Sequence, residues 1–263
     1  MRTKIEVERL SKMYRSSEHI VVALKDVSFK VYDGEFLCIV GPSGCGKSTL
    51  MQIIAGLEAP TSGKVLVDGR EVRGPGPDRC LIFQESTLFP WRTLLQNVEY
   101  GLEMRGVPPN KRRRIAMKYI ELVGLKGFEN SYPHQLSGGM KKRGEIARAL
   151  AVGPEVLLMD EPFGNLDAQT RKLMQNELLR IWEGDKRTVV FVTHSVSEAV
   201  YLADRILIMT ARPGRIKGVV KVDIPRPRDD GSPGFLRIRE SVLKLLEEEV
   251  AKAFGELAPH RKR

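Results

Sequence analysis

The sequence predicts an α/β fold with a parallel-sheet core, an antiparallel β portion near its N-terminus and an inserted helical subdomain. The runs 36–40 and 156–159 are wholly apolar, which is typical of strands buried on both faces of a parallel sheet. Amphipathic stretches with helical spacing alternate with strand-like runs, and this alternation indicates a sheet flanked by helices. With 263 residues, of which 42% are hydrophobic, the chain can form one large domain with an insertion.

The strands follow from runs of alternating or wholly apolar residues. They are predicted at 5–10, 21–31, 36–40, 156–159 and 189–192. The turn residues Asp33-Gly34 separate the second strand from the third. A further hairpin is expected around Val65 and Val67.

The helices follow from apolar residues that recur at spacings of three and four. One helix is expected over 49–55, and two apolar stripes are expected to face the core. The stripes are Ile115, Tyr119, Leu122 and Val123 in one helix, and Met174, Leu178, Ile181 and Trp182 in another. A C-terminal helix is expected to follow a proline-containing linker. Its apolar face would consist of Phe235, Ile238, Val242, Leu245 and Leu246.

These elements predict three parts of the chain. Residues 1–93 and 156–223 would form the core, because strand-like patterns dominate there. Residues 94–155 would form the helical subdomain, and 224–263 would form the C-terminal linker and helix.

Composition argues against several classes of protein. The longest apolar runs have about five residues, whereas a membrane span needs about 18, so we expect neither a span nor a signal peptide. Cys38, Cys45 and Cys80 lack the spacing of a metal site and cannot all pair, which favours a reducing cytosol. The net charge of +10 permits an anionic partner. The basic stretch 105–118 has no aromatic residues for stacking bases, so no specific nucleic-acid partner is expected.

The strongest chemical motif is a glycine-rich segment between the predicted strand 36–40 and a predicted helix. It fits the pattern GxxxxGK[ST], and its residues are Gly41, Pro42, Ser43, Gly44, Cys45, Gly46, Lys47, Ser48 and Thr49. Glycine lets the backbone wrap a phosphate closely, and the N–H groups at the helix start point at the anion. Lys47 would reach the β- and γ-phosphates of a nucleotide, and the Ser48 hydroxyl would bind Mg²⁺. The motif predicts a P-loop NTPase core.

Two adjacent carboxylates end the second apolar strand. Asp160 would emerge at the carboxyl end of that strand, where ligands gather in parallel sheets, and would hold Mg²⁺. Glu161 would take a proton from the water that attacks the γ-phosphate. Adjacent carboxylates are common at helix starts, so this assignment depends on the phosphate-binding motif upstream.

A third segment is needed to choose a function, because small-molecule kinases also carry the first two elements. Residues 136–140, Leu-Ser-Gly-Gly-Met, precede an alanine-rich helix and form a second glycine-containing helix start. Together with the other motifs, this segment resembles the ATP-binding cassette ATPases, in which an LSGGQ segment completes the ATP site of the opposite subunit. The resemblance covers about residues 3–215 and implies ATP and Mg²⁺ as cofactors, ATP hydrolysis, and a homodimer in the ATP-bound state. Ser137, Gly138 and Gly139 would contact the ATP held by the partner.

The resemblance assigns roles to further residues. Tyr14 resembles the aromatic residue that stacks on adenine, and Gln84 resembles the glutamine that contacts Mg²⁺ and the attacking water. His194 resembles the switch histidine that contacts the γ-phosphate, and 164–167 resembles the loop that reaches across the dimer. The resemblance therefore implies Glu161, His194 and Gln84 as catalytic residues and Ser48, Gln84 and Asp160 as magnesium ligands.

Two finer matches, 88–93 and 209–216, resemble the nitrate, sulfonate and taurine importer ATPases. This resemblance implies import of a small anion, two integral membrane permease subunits, an indirectly acting substrate-binding protein, and a peripheral location on the cytoplasmic face of the inner membrane. Leu88, Phe89 and Trp91 are expected to form an exposed apolar patch that docks on a permease. The alternative is that Phe89 and Trp91 attach the helical subdomain to the core.

Some residues depart from the family pattern. Lys141-Lys142-Arg143 stands where Arg-Gln-Arg is usual, Glu145 replaces a small apolar residue, and Asn165 stands where alanine is commoner. Because these residues keep helix-compatible chemistry, we expect altered surface or interface contacts and retained activity.

Two alternative functions remain open at this point. A non-transport cassette ATPase acting on nucleic acid or ribosomes would be compatible with the basic charge, but such proteins usually carry two cassettes or a long coiled-coil insertion. A small-molecule kinase would have no use for residues 136–140.

Overall fold

The computed structural model describes residues 1–15, 19–164 and 166–257. The strands, in chain order, are β1 Thr3–Arg15, β2 Ile20–Tyr32, β3 Phe36–Val40, β4 Ser62–Val67, β5 Arg70–Glu71, β6 Arg79–Ile82, β7 Val156–Asp160, β8 Thr188–Val192, β9 Arg205–Met209 and β10 Ile216–Lys221. The helices are α1 Lys47–Ala55, α2 Leu94–Met104, α3 Pro109–Leu122, α4 Gly138–Ala151, α5 Ala168–Asp185, α6 Val196–Leu202 and α7 Pro233–Leu257. A 3₁₀ turn covers Pro133–Gln135. None of the described helices combines the length and the apolar character needed to span a membrane.

The chain divides into two compact units. Unit 1 consists of residues 1–76 and the residues from 188 onward, and unit 2 consists of residues 77–187. The predicted helical subdomain, 94–155, lies within unit 2, which also contains β6, β7 and α5. The finer boundaries predicted from the sequence stay a prediction.

Unit 1 contains an antiparallel sheet, of order β2-β1-β4-β5, and a mainly parallel group of strands. In the second group, β3 pairs in parallel with β8 on one side and β9 on the other, and β10 pairs antiparallel with β9. Every residue of β3 and β8 is buried, as expected of strands covered on both faces. The rings of Phe36 and Phe191 pack in this core with their centroids 5.9 Å apart. The predicted fold class is confirmed.

The predicted C-terminal helix is α7. Phe235 and Val242 are fully buried and Ile238 is buried, whereas Leu245 and Leu246 are half-buried. The apolar face predicted from spacing is therefore most deeply buried in the first three turns of α7.

Unit 2 places the ends of two parallel strands at one edge. β6 and β7 pair in parallel, with Ile82 opposite Met159, so the residues that follow both strands lie at that edge. Helices α2, α3 and α4 pack against one another. Three of the four residues of the stripe predicted for α5, Met174, Leu178 and Trp182, are buried, whereas Ile181 is half-buried.

The stripe predicted for α3 is wrong by one position over most of its length. The buried residues are Ala116, Ile120 and Val123, whereas Ile115 and Tyr119 are half-buried. Close packing with α2 and α4 selects the small side chain of Ala116 in place of its larger neighbour. Only Val123 belongs to both the predicted and the observed face.

Candidate active site

The glycine-rich segment 41–49 connects β3 to α1 and turns through two left-handed glycines. Gly44 has φ 74° and Gly46 has φ 98°, conformations that residues with a Cβ rarely adopt. A Cβ at Gly46 would also lie 2.7 Å from Cδ2 of Leu24 and 2.9 Å from the carbonyl oxygen of Ala23. Helix α1 begins at Lys47, two residues earlier than predicted, so its free N–H groups lie within the segment. The segment has the form of an anion-binding loop.

Lys47 lies inside this loop. Its side chain is only 5% exposed, and its Nζ donates to the carbonyl oxygens of Gly41, at 2.8 Å, and Pro42, at 2.9 Å. The Ser48 hydroxyl is on an exposed residue in the first turn of α1. The loop therefore presents an ammonium group and a hydroxyl at one helix start, which suits a phosphate and its metal ion.

The segment 209–216 packs against the glycine-rich loop 41–49 (the phosphate loop). The N–H of Gly214 donates to the carbonyl of Ala23 at 2.9 Å, and the Nε of Arg212 donates to the carbonyl of Gly44 at 3.2 Å. A Cβ at Gly214 would lie 2.0 Å from the carbonyl oxygen of Cys45. Sequence reasoning treated this segment only as a mark of resemblance and missed its packing role; its Pro-Gly pair was the available signal of a tight turn.

Helix α7 contacts the same segment. Glu249 is 2% exposed, and its Oε2 accepts from the N–H of Ala211 at 3.0 Å. Its Oε1 forms an ion pair with Lys217 at 2.8 Å. The C-terminal helix is therefore joined to the segment that supports the phosphate loop.

We expect Gly214→Ala to destabilise the chain and to weaken ATP binding, because the added methyl group overlaps the Cys45 carbonyl. Overpacking of this kind costs about 1–3 kcal/mol in the free energy of unfolding. Thermal unfolding and ATP titration measure the two effects. Gly74→Ala is the matched control, since in the part of the chain that the structure describes no residue other than its two chain neighbours lies within 4 Å of a Cβ at that position. Wild-type melting and ATP affinity for Gly214→Ala would show that the loop does not depend on this packing.

Tyr14 lies near the end of β1, opposite Val21 of β2. It is 39% exposed, and the Nζ of Lys12 lies 5.1 Å from its ring centroid. An exposed ring of this kind can stack on a planar base.

The two carboxylates of unit 2 follow β7 as predicted. Asp160 is buried at the end of the strand, and Glu161 is half-buried with φ 48°. A left-handed conformation in a residue other than glycine costs on the order of 1–3 kcal/mol, and such strain is concentrated at functional sites. The Nε2 of Gln84, which follows β6, donates to Oε2 of Glu161 at 3.3 Å. Unit 2 thus brings Gln84 and Glu161 together.

The start of α4 is exposed. Ser137 is its N-cap and accepts from the N–H of Met140 at 3.3 Å. Among the described residues, none outside the neighbouring helix backbone lies within 4 Å of a Cβ position at Gly138. A Cβ at Gly139 would lie 3.1 Å from Cδ2 of Leu166. The segment 136–140 therefore presents an open helix N-terminus, which favours an anion.

The predicted cross-dimer loop, 164–167, is described except for Asn165, which lies outside the described residues. Asp167 is the N-cap of α5, and its carboxylate accepts from the N–H of Thr170 at 2.9 Å. This hydrogen bond holds the pKa of Asp167 below its usual value. The end of the loop is thereby fixed to α5.

His194 follows β8 on an exposed stretch, and its neighbours fix the backbone there. Buried Thr193 donates to the carboxylate of Glu198 and accepts from the N–H of Ser195 at 3.0 Å. Ser195 in turn caps α6. Sequence reasoning identified His194 but missed Thr193 and Glu198, which lie five residues apart.

The expectation for Lys142 and Glu145 is wrong. Both residues were expected to alter surface or interface contacts, but they are 3% and 2% exposed and form an ion pair at 2.8 Å inside unit 2. Opposite charges at a spacing of three on an alanine-rich helix were the available signal.

The expected apolar patch is only partly exposed. Leu88 is buried, which corrects the prediction, whereas Trp91 is 71% exposed. The half-buried Phe89 packs against both Trp91 and Tyr100 of α2, with ring centroids 5.5 Å and 4.8 Å apart. Phe89 thus attaches this segment to a helix, and Trp91 remains the exposed aromatic side chain.

Comparisons with known proteins agree with this geometry. A family model described as ABC transporter matches residues 24–164. An uncharacterised ABC transporter ATP-binding protein of Methanocaldococcus jannaschii is 58% identical over 253 residues, which cover 96% of this chain and 95% of the relative. An aliphatic sulfonates import ATP-binding protein of Bacillus licheniformis is 50% identical, with 89% and 90% covered. A nitrate import ATP-binding protein of a Synechocystis species is 47% identical, with 84% and 83% covered.

Solved structures give the same similarity. A dimeric ATP-binding cassette in a post-hydrolysis state, bound to ADP and Pi, matches with a TM-score of 0.76 and 33% identity. A dimeric bacterial ABC transporter cassette matches with a TM-score of 0.77 and 34% identity. Each match covers 84% of this chain and all of the solved chain.

Proposed function

The chain belongs to the ABC transporter family, whose members bind and hydrolyse ATP, and on this premise we propose that it energises the import of a small anion such as nitrate, a sulfonate or taurine. The contact between Gln84 and Glu161 at 3.3 Å carries the mechanistic part of the proposal. The cargo class is supported by the sulfonate and nitrate import proteins among the relatives.

Lys47 and the N–H groups of 41–49 would bind the phosphates of ATP. Burial of the ammonium group inside the loop places a positive charge at the helix start, where an anion is already favoured. Tyr14 would stack on the adenine, and His194 would contact the γ-phosphate. Glu161 would accept the proton of the attacking water, and Gln84 would orient that water.

Each of the proposed ligands offers an oxygen donor, which Mg²⁺ as a hard cation prefers. Ser48 offers a hydroxyl, Asp160 a carboxylate and Gln84 an amide oxygen, since the Gln84 contact with Glu161 uses the amide nitrogen. The ion would neutralise charge that develops on the phosphates during hydrolysis. The amino acids themselves would bind, orient and deprotonate the water.

The active form would be a homodimer in the ATP-bound state. Ser137 and Gly138 are exposed at a helix start and Gly139 is half-buried beside them, so in this proposal these residues contact the γ-phosphate of ATP held by the partner. The solved cassettes that resemble this chain are dimers.

Two integral membrane permease subunits would complete the transporter, with a substrate-binding protein acting on the permeases. The chain would then lie peripherally on the cytoplasmic face of the inner membrane. Trp91 is the side chain that we assign to permease docking, because it is 71% exposed and follows Gln84 by only seven residues. Movement at Gln84 on phosphate loss would reach the permease through this segment.

Trp91→Ala is expected to uncouple hydrolysis from transport. The isolated subunit should retain wild-type ATP hydrolysis and melting temperature, because little of the exposed ring is buried in the chain. Transport by the reconstituted complex should fail, since loss of a central interface aromatic typically costs 2 kcal/mol or more, about thirtyfold, in binding. Leu57→Ala, which removes an exposed apolar side chain from unit 1, is the control. Equal loss of hydrolysis and transport, with a lower melting temperature, would show that Trp91 stabilises the subunit and does not dock.

The cargo is tested by reconstitution of this chain with two permease subunits and a substrate-binding protein. ATP-dependent uptake of labelled nitrate, taurine or an alkanesulfonate into vesicles would support the proposal. Uptake of none of the three, or hydrolysis stimulated by RNA or ribosomes instead of by the permeases, would contradict it.

A further inference from the structure

A buried ion pair on α4 lies against the segment that carries Gln84. The Nζ of Lys142 is 2.8 Å from Oε2 of Glu145, and the two side chains are 4% and 2% exposed. Burying two charges is unfavourable unless additional hydrogen bonds satisfy them. The other hydrogen bonds of Lys142 and Glu145 therefore identify the segment that this ion pair holds in place.

Those hydrogen bonds go to the backbone on both sides of Gln84. The Nζ of Lys142 donates to the carbonyl oxygen of Phe83 at 2.6 Å and approaches that of Glu85 at 3.5 Å. The second carboxylate oxygen of Glu145 accepts from the N–H of Thr87. The pair thus fixes the main chain at three positions within a stretch of five residues.

The next turn of α4 adds to this anchor. Arg148 donates from Nη1 to the carbonyl of Thr87 at 2.8 Å and from Nη2 to its hydroxyl at 2.7 Å. Residues 84–87 are exposed and belong to no helix or strand. The position of Gln84 therefore depends on contacts from α4 more than on burial of residues 84–87.

We propose that Lys142 and Glu145 are positioning residues for ATP hydrolysis. They hold the backbone of 83–87 in the position where Gln84 reaches Glu161. They also make Gln84 move together with α4, the helix whose start lies within the segment 136–140. The inference rests on the proposed roles of Gln84 and Glu161. It gives a function to two residues that depart from the family pattern.

The test compares variants that remove the charges together, because a lone buried charge could unfold the chain. Lys142→Met with Glu145→Leu should reduce kcat for ATP hydrolysis about ten- to a hundredfold, the range expected when a reacting group is misplaced by about 1 Å. The KM for ATP should stay within about twofold, because the phosphate loop is unchanged. Lys142→Gln with Glu145→Ala keeps an amide donor for the Phe83 carbonyl and should recover much of kcat.

A mutant cycle with Gln84→Ala separates positioning from general structural support. If the ion pair acts through Gln84, removing the charges of Lys142 and Glu145 in the Gln84→Ala background should change kcat by no more than about twofold. The matched control is Glu177→Leu with Arg180→Met, an exposed ion pair of the same spacing in unit 2, which should leave kcat unchanged.

The outcomes distinguish this inference from the proposed function. Wild-type kcat in the variant with Lys142→Met and Glu145→Leu, or effects that multiply with Gln84→Ala, would overturn the positioning role while hydrolysis itself stands. If the Met/Leu variant misfolds, the cycle is run with Lys142→Gln and Glu145→Ala, whose remaining loss of kcat should disappear in the Gln84→Ala background. A loss that persists in that background would overturn the positioning role. Failure of the wild-type chain to hydrolyse ATP, or full activity of Glu161→Gln, would instead overturn the proposed function.

Discussion

Glu161→Gln is expected to abolish nearly all ATP hydrolysis while ATP still binds. The amide has the shape of the carboxylate but cannot accept the proton of the attacking water, and loss of a general base typically costs 10²–10⁴-fold, or about 3–5 kcal/mol, in rate. Glutamine also needs no more space than glutamate at φ 48°, so the backbone should be unchanged. Single-turnover phosphate release and ATP titration measure the two properties separately.

Glu183→Gln is the control for this experiment, because Glu183 is an exposed carboxylate on α5 of the same unit. It should hydrolyse ATP at the wild-type rate. If Glu161→Gln retains turnover within about tenfold of wild type, the catalytic base lies elsewhere, because the rate loss falls short of that expected for a general base.

Lys47→Ala is expected to act earlier, at ATP binding. The substitution removes a buried ammonium group, and charged hydrogen bonds contribute about 1.5–3 kcal/mol each, so two phosphate contacts correspond to binding weakened on the order of 100-fold or more. Titration calorimetry with ATP measures the change, and circular dichroism checks that the variant is folded. Unchanged ATP affinity in a folded variant would exclude Lys47 as the phosphate ligand.

The same substitution tests the dimer. Glu161→Gln with ATP should sediment as a dimer, because in the proposed assembly the ATP held by each chain would form part of the interface. Adding Lys47→Ala should return it to a monomer at the same ATP concentration. A strictly monomeric Glu161→Gln variant with ATP bound would contradict the proposed assembly.

The sequence predicted well those features that depend on neighbouring residues. The phosphate loop was predicted from one strand, one glycine pattern and one helix start, and all three are local. The meeting of Gln84 and Glu161 was implied by family resemblance, and it arises because two parallel strands end at one edge.

Contacts between distant parts of the chain were not predictable in this way. Arg212 and Gly44 are 168 residues apart, and Lys142 and Phe83 are 59 apart, so no local pattern joins them. Periodicity also gives large side chains more weight than small ones, which explains why Ile115 was expected inside and Ala116 is found there. Leu88 and Trp91 are both large apolar residues of the same short segment. Only tertiary packing makes the first buried and the second exposed.

The support of the phosphate loop by 209–216 changes what that motif means for classification. Gly214 is restricted by its approach to Cys45, and Arg212 contacts Gly44, so a substitution at either residue would act on the geometry of the glycine-rich loop 41–49. A relative with the same residues at these positions would support the loop in the same way, whatever solute its permeases carried. The segment 209–216 would therefore mark how the loop 41–49 is supported and would carry no information on the cargo. Cargo specificity could then change in the membrane subunits without any change in this segment.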